Sequence, residues 1–320
     1  MNSLATSSQW TYLLMRMGRF VLRRISMLFQ YVYVLLLAAP ALLIKRTISM
    51  PFQLVLGHGA VLILSDRLVV KVASSMQSTV LVEYANAQRM SKASAKVSAC
   101  TPSLRLSRGA VLTGLVFERY QKVAPADVLD CAVEVRRKFD SAGLKPRGAS
   151  LDRYSQLRAG LEQVAQLFGD EVASRMETLV RRYLAEGDYH TGLCHGDFHS
   201  RNIMRDQDGN VRVIDLDCVR FEGIVELDAV NFALELEWSA SGVLWLDTLA
   251  SAMEGRGDNI AQCLCRFSVR WSEALGLVYF LDRVGQEYIN YGFKYPKLKM
   301  QRAVAAIQRA NDGTIDLEPV

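Results

Sequence analysis

The chain has 320 residues, half of them hydrophobic, so it can form one large domain or two units with a sizeable core. Its 38 basic and 33 acidic residues give a net charge of +5, and no stretch interleaves aromatic and basic residues, which argues against a nucleic-acid partner. Six scattered cysteines, with no second pair beside Cys263 and Cys265, argue against a metal cluster and are typical of reduced thiols in the cytosol.

Residues 1–50 form an apolar extension studded with arginine. Within it, residues 25–44, from Ile25 to Ile44, are nearly uninterrupted apolar sequence, long enough to cross a bilayer. Basic residues flank the segment on both sides, so it would span a membrane, lie in the plane of one, or pack as a buried helix on the rest of the chain. A cleaved signal peptide fits less well, because the charged region is long and no small-x-small site follows.

Short strands follow this extension, because apolar runs alternate with turn residues. A helix over about 76–96 interrupts them, since Val80, Glu83, Ala87 and Met90 recur at helical spacing. The predicted strands are 53–56, 60–64, 68–73, 103–107 and 111–117. Together they predict a five-stranded antiparallel sheet with one helix.

From residue 120 onward the chain is mainly helical. Amphipathic patterns predict helices over 126–141, 151–186, 227–253 and 259–291, and the tail after Ala310 is polar. The predicted domains are the extension 1–50, a sheet lobe 51–119, a helical lobe 120–310 and a tail 311–320.

The most informative stretch is His195-Gly196-Asp197, with Asn202 five residues after the aspartate. A polar run then leads to an apolar strand that ends in Ile214-Asp215-Leu216-Asp217. Phosphoryl transfer needs such a set: a carboxylate to orient the acceptor hydroxyl, and an amide oxygen and a carboxylate for Mg²⁺. The pattern therefore predicts a kinase of a small molecule.

These paired motifs resemble those of the aminoglycoside phosphotransferase and choline kinase family, which has the protein-kinase-like fold. The resemblance covers about residues 52–295 and is strongest over 193–217. It implies a bilobal α+β fold, with a small five-stranded antiparallel sheet lobe and a larger, mainly helical lobe.

The resemblance implies roles for the residues of the motifs. Asp197 would be the catalytic base, and Asn202 and Asp215 would hold Mg²⁺. Asp217 would support a second metal or the acceptor, or would be a surface residue at the end of a strand. His199 would either contact the acceptor or be a solvated side chain.

Two further residues would support the catalytic loop. In this family the equivalent of His195 bonds to the backbone, and an aspartate at the position of Asp228 caps a helix and braces the loop. Gly196 stands where protein kinases carry an arginine that reads phosphorylation, and only ten residues separate Asp217 from Asp228. A long activation segment does not fit, so the acceptor should be small or the head of a larger glycan or lipid.

The resemblance also implies a nucleotide site. Lys71 would bind the α- and β-phosphates with Glu83 as its partner, unless it is an edge-strand solubilising charge. Gly57 and Gly59 would cover the phosphates. The end of the last strand of the predicted sheet would offer backbone groups to adenine. The predicted nucleotide-binding residues are Lys71, Glu83, Gly57, Gly59, Phe117, Glu118 and Tyr120.

Acceptor choice would lie in the C-terminal helices. Acidic side chains there would suit an amine or polyhydroxy acceptor, and aromatic side chains would suit a quaternary ammonium group. The alternative is that the aromatic residues pack in the core and the acidic residues are solvated. These candidates are Glu235, Glu237, Trp238, Trp245, Asp247, Trp271, Glu273 and Tyr279. Four basic residues between Lys294 and Arg302 suit anionic head groups or a solvated face.

The sequence therefore predicts transfer of the γ-phosphate of ATP to a hydroxyl of a small molecule or of a glycolipid or sugar head group. The alternative is a soluble aminoglycoside or choline-like amino-alcohol kinase. A silent nucleotide-binding scaffold fits less well, because the motif residues are intact. The predicted location is cytoplasmic, either free or attached at the inner face of a membrane, with no nucleic-acid partner. The oligomeric state and the acceptor are left open.

Overall fold

The structure is a computed structural model that describes residues 53–56, 60–74, 79–108, 112–146, 151–186 and 189–312. These residues form two compact units. The first contains the described residues up to 92, with 101–121 and 205–217, and the second contains 93–100, 122–204 and 218–312. The extension 1–50, the glycines Gly57 and Gly59 and the tail after residue 312 lie outside the described residues.

The first unit is built on a five-stranded antiparallel sheet with strand order β1-β2-β3-β5-β4. The central strand is β3, and its run of valines suits burial on both faces. The strands are β1 Gln53–Leu56, β2 Val61–Leu64, β3 Leu68–Ser74, β4 Arg105–Arg108 and β5 Leu112–Glu118. The predicted five-stranded sheet and α+β fold class are confirmed.

The predicted helix over 76–96 is two helices, α1 Thr79–Ala93 and α2 Ala95–Cys100. Ser94 separates them, and its hydroxyl accepts a hydrogen bond from the backbone N–H of Val97 at 3.1 Å. A serine that satisfies a free N–H in this way starts a new helix. The prediction ran through this break because serine is tolerated in a helical pattern.

The second unit is mainly helical. Its helices are α3 Val128–Asp140, α4 Ser155–Phe168, α5 Asp170–Glu186, α6 Glu226–Ser241, α7 Trp245–Met253, α8 Asp258–Arg266, α9 Glu273–Tyr291 and α10 Lys297–Asp312. A small sheet has the order β11-β8-β7, from β7 Lys145–Pro146, β8 His190–Cys194 and β11 Arg220–Ile224. The other short strands among the described residues are β6 Gln121–Lys122, β9 Ile203–Arg205 and β10 Val211–Val213.

Two of the predicted long helices are broken at glycines with positive φ angles. Gly169, with φ +94°, separates α4 from α5, and Gly242, with φ +71°, ends α6. A glycine adopts these angles without the steric penalty of a Cβ atom. It can therefore end a helix even where the hydrophobic period of the sequence continues. The sequence prediction followed the period and missed both ends.

Helix α9 lies unusually close to α4. A Cβ atom at Gly160 would collide with the backbone of Leu281, and one at Gly285 would collide with the carbonyl of Gln156. The two glycines therefore fix the position of α9 against the core of the second unit. Among the described residues, no helix is long and apolar enough to span a bilayer.

Candidate active site

The segment 195–202 connects buried strand β8 to β9 in the second unit. Gly196 has φ +79°, and a Cβ atom there would collide with the carbonyl oxygen of Cys218. Only glycine suits both the angle and the space. The segment ends in a single 3₁₀ turn, Ser200–Asn202. We call residues 195–202 the catalytic loop.

Three side chains on one face of α6 form hydrogen bonds with the catalytic loop. Asp228 accepts hydrogen bonds from the backbone N–H groups of His195 at 2.7 Å and Gly196 at 2.9 Å. Asn231 donates to the carbonyl of Phe198 at 2.8 Å. Glu235 accepts from the hydroxyl of Ser200 at 2.9 Å. Spacings of three and four residues put these three side chains on one side of the helix, so α6 fixes the loop along its length.

A buried arginine supports Asp228. Arg136 of α3 donates to Asp228 at 3.2 Å and to the carbonyl of Leu193 at 2.8 Å, and it also pairs with Asp140. Arg136 and Asp228 are both buried, so each charged group needs the other as its counter-charge.

We expect Asp228→Ala to lower the free energy of unfolding by about 3–5 kcal/mol, because Arg136 loses its buried counter-charge and two loop N–H groups lose their acceptor. Urea denaturation of the variant and wild type measures the difference. Glu222→Ala is the control, since Glu222 and Lys145 form an ion pair with 68 % and 72 % exposed side chains, and we expect less than about 0.5 kcal/mol. Equal stability losses in the two variants would contradict the bracing role of Asp228.

Asp197 points into a polar cluster. Its Oδ1 accepts a hydrogen bond from Nη1 of Arg283 at 2.7 Å, and its Oδ2 lies 3.4 Å from Nε2 of His199. Burial by itself would raise the pKa of Asp197, but His199 and the Arg283 guanidinium hold that pKa well below its usual range. The carboxylate is therefore ionised at neutral pH.

Asn202 closes the catalytic loop from the other end. Its amide nitrogen donates to the carbonyl of Asp197 at 3.0 Å and lies 3.2 Å from Nε2 of His199. His195 is fully buried, and its Nδ1 accepts from the N–H of Asp197 at 3.3 Å, a backbone contact of the kind predicted.

Helix α9 supplies a residue that the sequence did not indicate, Arg283. Its Nε donates to Glu287 at 2.9 Å, Tyr295 donates to Glu287 at 2.5 Å, and Trp245 donates to the hydroxyl of Tyr295 at 2.9 Å. Asp197 is thereby linked through side chains to α7 and to the turn after α9. The available signal was a run of polar residues inside an otherwise apolar, buried helix, which requires internal partners.

The first unit brings three predicted residues together. Nζ of Lys71 donates to Oε2 of Glu83 and to Oδ1 of Asp215, each at 2.7 Å. Burial alone would lower the pKa of Lys71, but the two carboxylates raise it above its usual value. Burial raises the pKa of Glu83, and the charge of Lys71 opposes that rise. Lys71 is therefore a charged, buried lysine, unlike an edge-strand solubilising charge.

Helix α1 also holds the backbone next to Asp215. The amide of Asn86 donates to the carbonyl of Leu216 at 2.7 Å, and Glu83 accepts a backbone hydrogen bond from Leu216. Asp215 itself has φ +62°, an angle that only a few residue types tolerate. Its side chain is 44 % exposed, so the carboxylate remains accessible. Asp217 follows in the 3₁₀ turn Leu216–Cys218 and is partly buried.

The predicted adenine contacts lie at the end of β5. The pairing of β4 with β5 stops at the Arg105–Val116 pair, whereas β3 pairs with Phe117 and Glu118. Beyond Val116, the β4 side of β5 therefore has no strand partner among the described residues, which leaves backbone groups for a ligand. The ring of Tyr120 lies 6.3 Å from that of Phe117, and burial raises the pKa of Tyr120 to about 12.

Several acceptor candidates have internal partners. Glu235 holds the catalytic loop, Tyr279 donates to Asn231 at 2.8 Å, and Glu237 accepts from Asn259 at 3.3 Å. Trp245 bonds to Tyr295. These side chains are hydrogen-bonded to other residues of the protein, and their contacts do not indicate an acceptor.

The sequence model of the phosphotransferase enzyme family matches residues 66–226, about half of the chain. This chain belongs to the phosphotransferase enzyme family. The match contains Lys71, Asp197 and Asp215, and the resemblance drawn from the motifs is confirmed. Among curated proteins, no sequence matches the chain.

Solved structures of family members share the fold. A thermostable variant of aminoglycoside phosphotransferase APH(4)-Ia, in a ternary complex with ADP and hygromycin B, has a TM-score of 0.54 at 17% identity, over 86% of this chain and 99% of that chain. Aminoglycoside phosphotransferase APH(3'')-Id from Streptomyces rimosus ATCC10970 has a TM-score of 0.50 at 17% identity, over 77% of this chain and 96% of that chain. At these identities the likeness shows the protein-kinase-like fold and leaves the substrate open.

Proposed function

We propose that this phosphotransferase moves the γ-phosphate of ATP to a hydroxyl of a small molecule or of a sugar or glycolipid head group. The observation that carries the proposal is the bridge from Lys71 to Glu83 and Asp215, two carboxylates 132 residues apart in the sequence, at 2.7 Å each. A charged lysine suits the binding of a phosphate, and an accessible carboxylate beside it suits the binding of the metal ion that accompanies the phosphate.

Asp197 is proposed as the catalytic base. Arg283 occupies its Oδ1, so Oδ2 is the oxygen we assign to the acceptor hydroxyl. The low pKa of Asp197 makes it a weak base, which suits a loose transition state in which little proton removal is needed early. Its main contribution is then to orient the acceptor.

Asp215 and Asn202 are proposed to hold Mg²⁺. The donor set suits a hard cation, since Asp215 offers an accessible carboxylate and the amide of Asn202 has its nitrogen engaged and its oxygen left for a ligand. No cluster of three or more His, Cys, Asp or Glu side chains able to bind a metal occurs within the described ranges. Mg²⁺ commonly needs only one or two carboxylates together with substrate phosphates, and when bound it neutralises developing phosphate charge.

Lys71 is proposed to contact the ATP phosphates, with Glu83 as its fixed partner. Phe117, Glu118 and Tyr120 would offer backbone groups to adenine at the open side of β5. Gly57 and Gly59, outside the described residues, remain the predicted cover of the phosphates.

We expect Lys71→Met to raise the ATP KM or lower kcat by about tenfold or more, because a charge-assisted hydrogen bond contributes about 1.5–3 kcal/mol. Steady-state kinetics with varied ATP measure the effect. The control is Lys92→Met, since Lys92 is exposed in the last turn of α1. An unchanged ATP response in Lys71→Met would limit Lys71 to its ion pairs with Glu83 and Asp215 and remove it from the nucleotide site.

The same variant should change how stability depends on pH. Without Lys71, the buried Glu83 loses its counter-charge, so its folded-state pKa rises further above the unfolded value. The folded state then binds more protons, and the stability of the variant falls as pH rises through that pKa. Urea midpoints between about pH 5 and 8 should decline in Lys71→Met relative to wild type.

Two other functions compete with this proposal. A soluble aminoglycoside or amino-alcohol kinase has the support of the structural neighbours, one of which is a complex with hygromycin B. A silent scaffold is less well supported, because Lys71, Asp197, Asn202 and Asp215 are all present. Incubation with γ-labelled ATP and panels of aminoglycosides, amino alcohols, sugars and glycolipids distinguishes the three functions by which panel, if any, is labelled.

Attachment of residues 25–44 to a membrane is proposed from sequence alone. We expect deletion of residues 1–46 to leave a folded, soluble chain that is active on a soluble acceptor, while the full chain sediments with membranes. The cytoplasmic side is favoured, because the site needs ATP. Flotation of both forms with vesicles measures the difference. A full chain that is monodisperse without detergent, together with an aggregating deletion, would show that the segment packs on the enzyme instead.

A further inference from the structure

A group of large apolar side chains is exposed where α9 meets α10 and at the turn before α7. Their exposures are Val243 42%, Leu244 46%, Ile289 48%, Phe293 41% and Leu298 80%. We call these five residues the corner. Apolar side chains scattered singly over a surface are ordinary, whereas a contiguous group marks an interaction site.

Aromatic contacts place the two segments of the corner side by side. Trp245, next to Leu244, donates to the hydroxyl of Tyr295 at 2.9 Å, and the two rings meet edge to face at 5.9 Å. The ring of Phe293 contacts that of Tyr295 at 4.7 Å. Leu244 and Phe293 therefore flank one aromatic contact, and all of the corner lies in the second unit.

The segment of the corner between α9 and α10 carries charge of one sign. Between Glu287 and Asp312 the sequence has no acidic residue, and Lys294, Lys297 and Lys299 are all exposed. Two of these lysines contact uncharged groups: Lys294 lies over the ring of Tyr288, and Lys297 lies over the ring of Phe168.

Acidic residues in α7 and directly after it already have basic partners. Glu254 pairs with Arg302 at 3.2 Å and with Arg309 at 2.9 Å, and Asp247 lies 3.5 Å from Arg302. The three lysines therefore keep their charge available for an external anion.

We infer that the corner docks on an anionic lipid surface. Exposed leucine, isoleucine and phenylalanine can enter the boundary between head groups and acyl chains, while lysines on long stems reach lipid phosphates. Each lysine near such a surface contributes an attraction of about 1 kcal/mol, so three together favour anionic over neutral lipid roughly a hundredfold. The apolar residues 25–44 are a second feature of the chain that suits a bilayer.

This surface does not depend on the proposed phosphotransfer. Helix α9 carries both Ile289 of the corner and, six residues earlier, Arg283, which contacts Asp197.

Photocrosslinking in the full chain tests the inference. A benzophenone amino acid at position 298 reports what covers the corner, and the same probe at position 144 is the matched control, since Leu144 is an exposed leucine of the same unit. The probes are vesicles of phosphatidylcholine alone or with phosphatidylglycerol. A third protein, with Lys294→Gln, Lys297→Gln and Lys299→Gln, keeps the apolar side chains and removes the charge.

We expect position 298 to crosslink to lipid in vesicles that contain phosphatidylglycerol and position 144 to crosslink little. The triple variant should need roughly a hundredfold more anionic vesicles for the same yield. Equal yields from the two positions, or from the two vesicle types, would overturn the inference even if residues 25–44 bind membranes. A crosslink from position 298 to residues 1–52 or to a second copy of the chain, in place of lipid, would identify a protein occupant and also overturn it.

Discussion

Asp197→Asn should lower kcat by about a hundredfold or more and leave ATP affinity nearly unchanged. The carboxylate acts on the acceptor oxygen, and a positioned base or orienting group typically contributes at least ~10²-fold. Asparagine keeps the size of the side chain but cannot match the charge of Arg283, which lies 2.7 Å from Oδ1. Turnover measured at saturating ATP, with a separate titration of ATP binding, distinguishes the two effects.

The control for this variant is Asp208→Asn, because Asp208 is an exposed aspartate in the turn between β9 and β10. It should turn over at the wild-type rate. Unfolding midpoints of both variants show whether loss of the Arg283 pair weakens the fold. Retention of more than about a tenth of wild-type turnover in a folded Asp197→Asn protein would remove Asp197 from the catalytic role.

Asp215→Asn should weaken Mg²⁺-dependent activity and turnover together. Loss of one oxygen ligand should raise the Mg²⁺ concentration for half-maximal activity by at least ~10-fold, since even residues that only support metal ligands change affinity by ~10–100-fold. Asparagine is preferred to alanine, because Asp215 has φ +62° and asparagine tolerates that angle. Activity is measured across a Mg²⁺ titration at fixed ATP.

Asp217→Asn provides the comparison for this experiment, since Asp217 is two residues away and its role is open between a second metal, the acceptor and a surface position. A small effect there and a large one at Asp215 would assign the metal to Asp215. If Asp215→Asn shows the wild-type Mg²⁺ dependence, Asp215 is not a metal ligand and only its contact with Lys71 remains.

Some of this site follows from short-range sequence patterns. Asp197 and Asn202 share one loop, so their spacing alone predicts that the amide lies near the aspartate, and the structure has Asn202 bonded to the Asp197 carbonyl. The alternation of apolar residues likewise predicts the five-stranded sheet, because strand period and turns are local properties.

Other contacts depend on how distant elements pack. Lys71 and Asp215 are 144 positions apart, and the resemblance assigned them only to the phosphates and to Mg²⁺, so their direct contact follows only from the packed structure. The contact of Arg283 with Asp197 depends on the position of α9, which Gly160 and Gly285 fix by allowing two backbones to approach closely. No local pattern shows which helix a glycine will face.

The loop contacts made by α6 are an intermediate case. Asp228 was expected to brace the catalytic loop from the resemblance, whereas Asn231 and Glu235 were not assigned to it. They follow Asp228 by three and seven residues in a buried helix, which was visible in the sequence, and buried polar side chains require partners. The identity of those partners follows only from the packed structure.

Transfer of label from γ-labelled ATP, compared between wild type and Asp197→Asn, tests whether the chain is an ATP-dependent phosphotransferase with Asp197 as its base. Both proteins are incubated with Mg²⁺ and the panels of hydroxyl-bearing acceptors, and the labelled product is separated from ATP. We expect wild type to label one acceptor class and chelation of Mg²⁺ to stop the reaction. Asp197→Asn should bind ATP but label the acceptor at about a hundredth of the wild-type rate or less. A wild-type protein that binds no Mg²⁺-ATP, or equal labelling by the two proteins, would contradict this account.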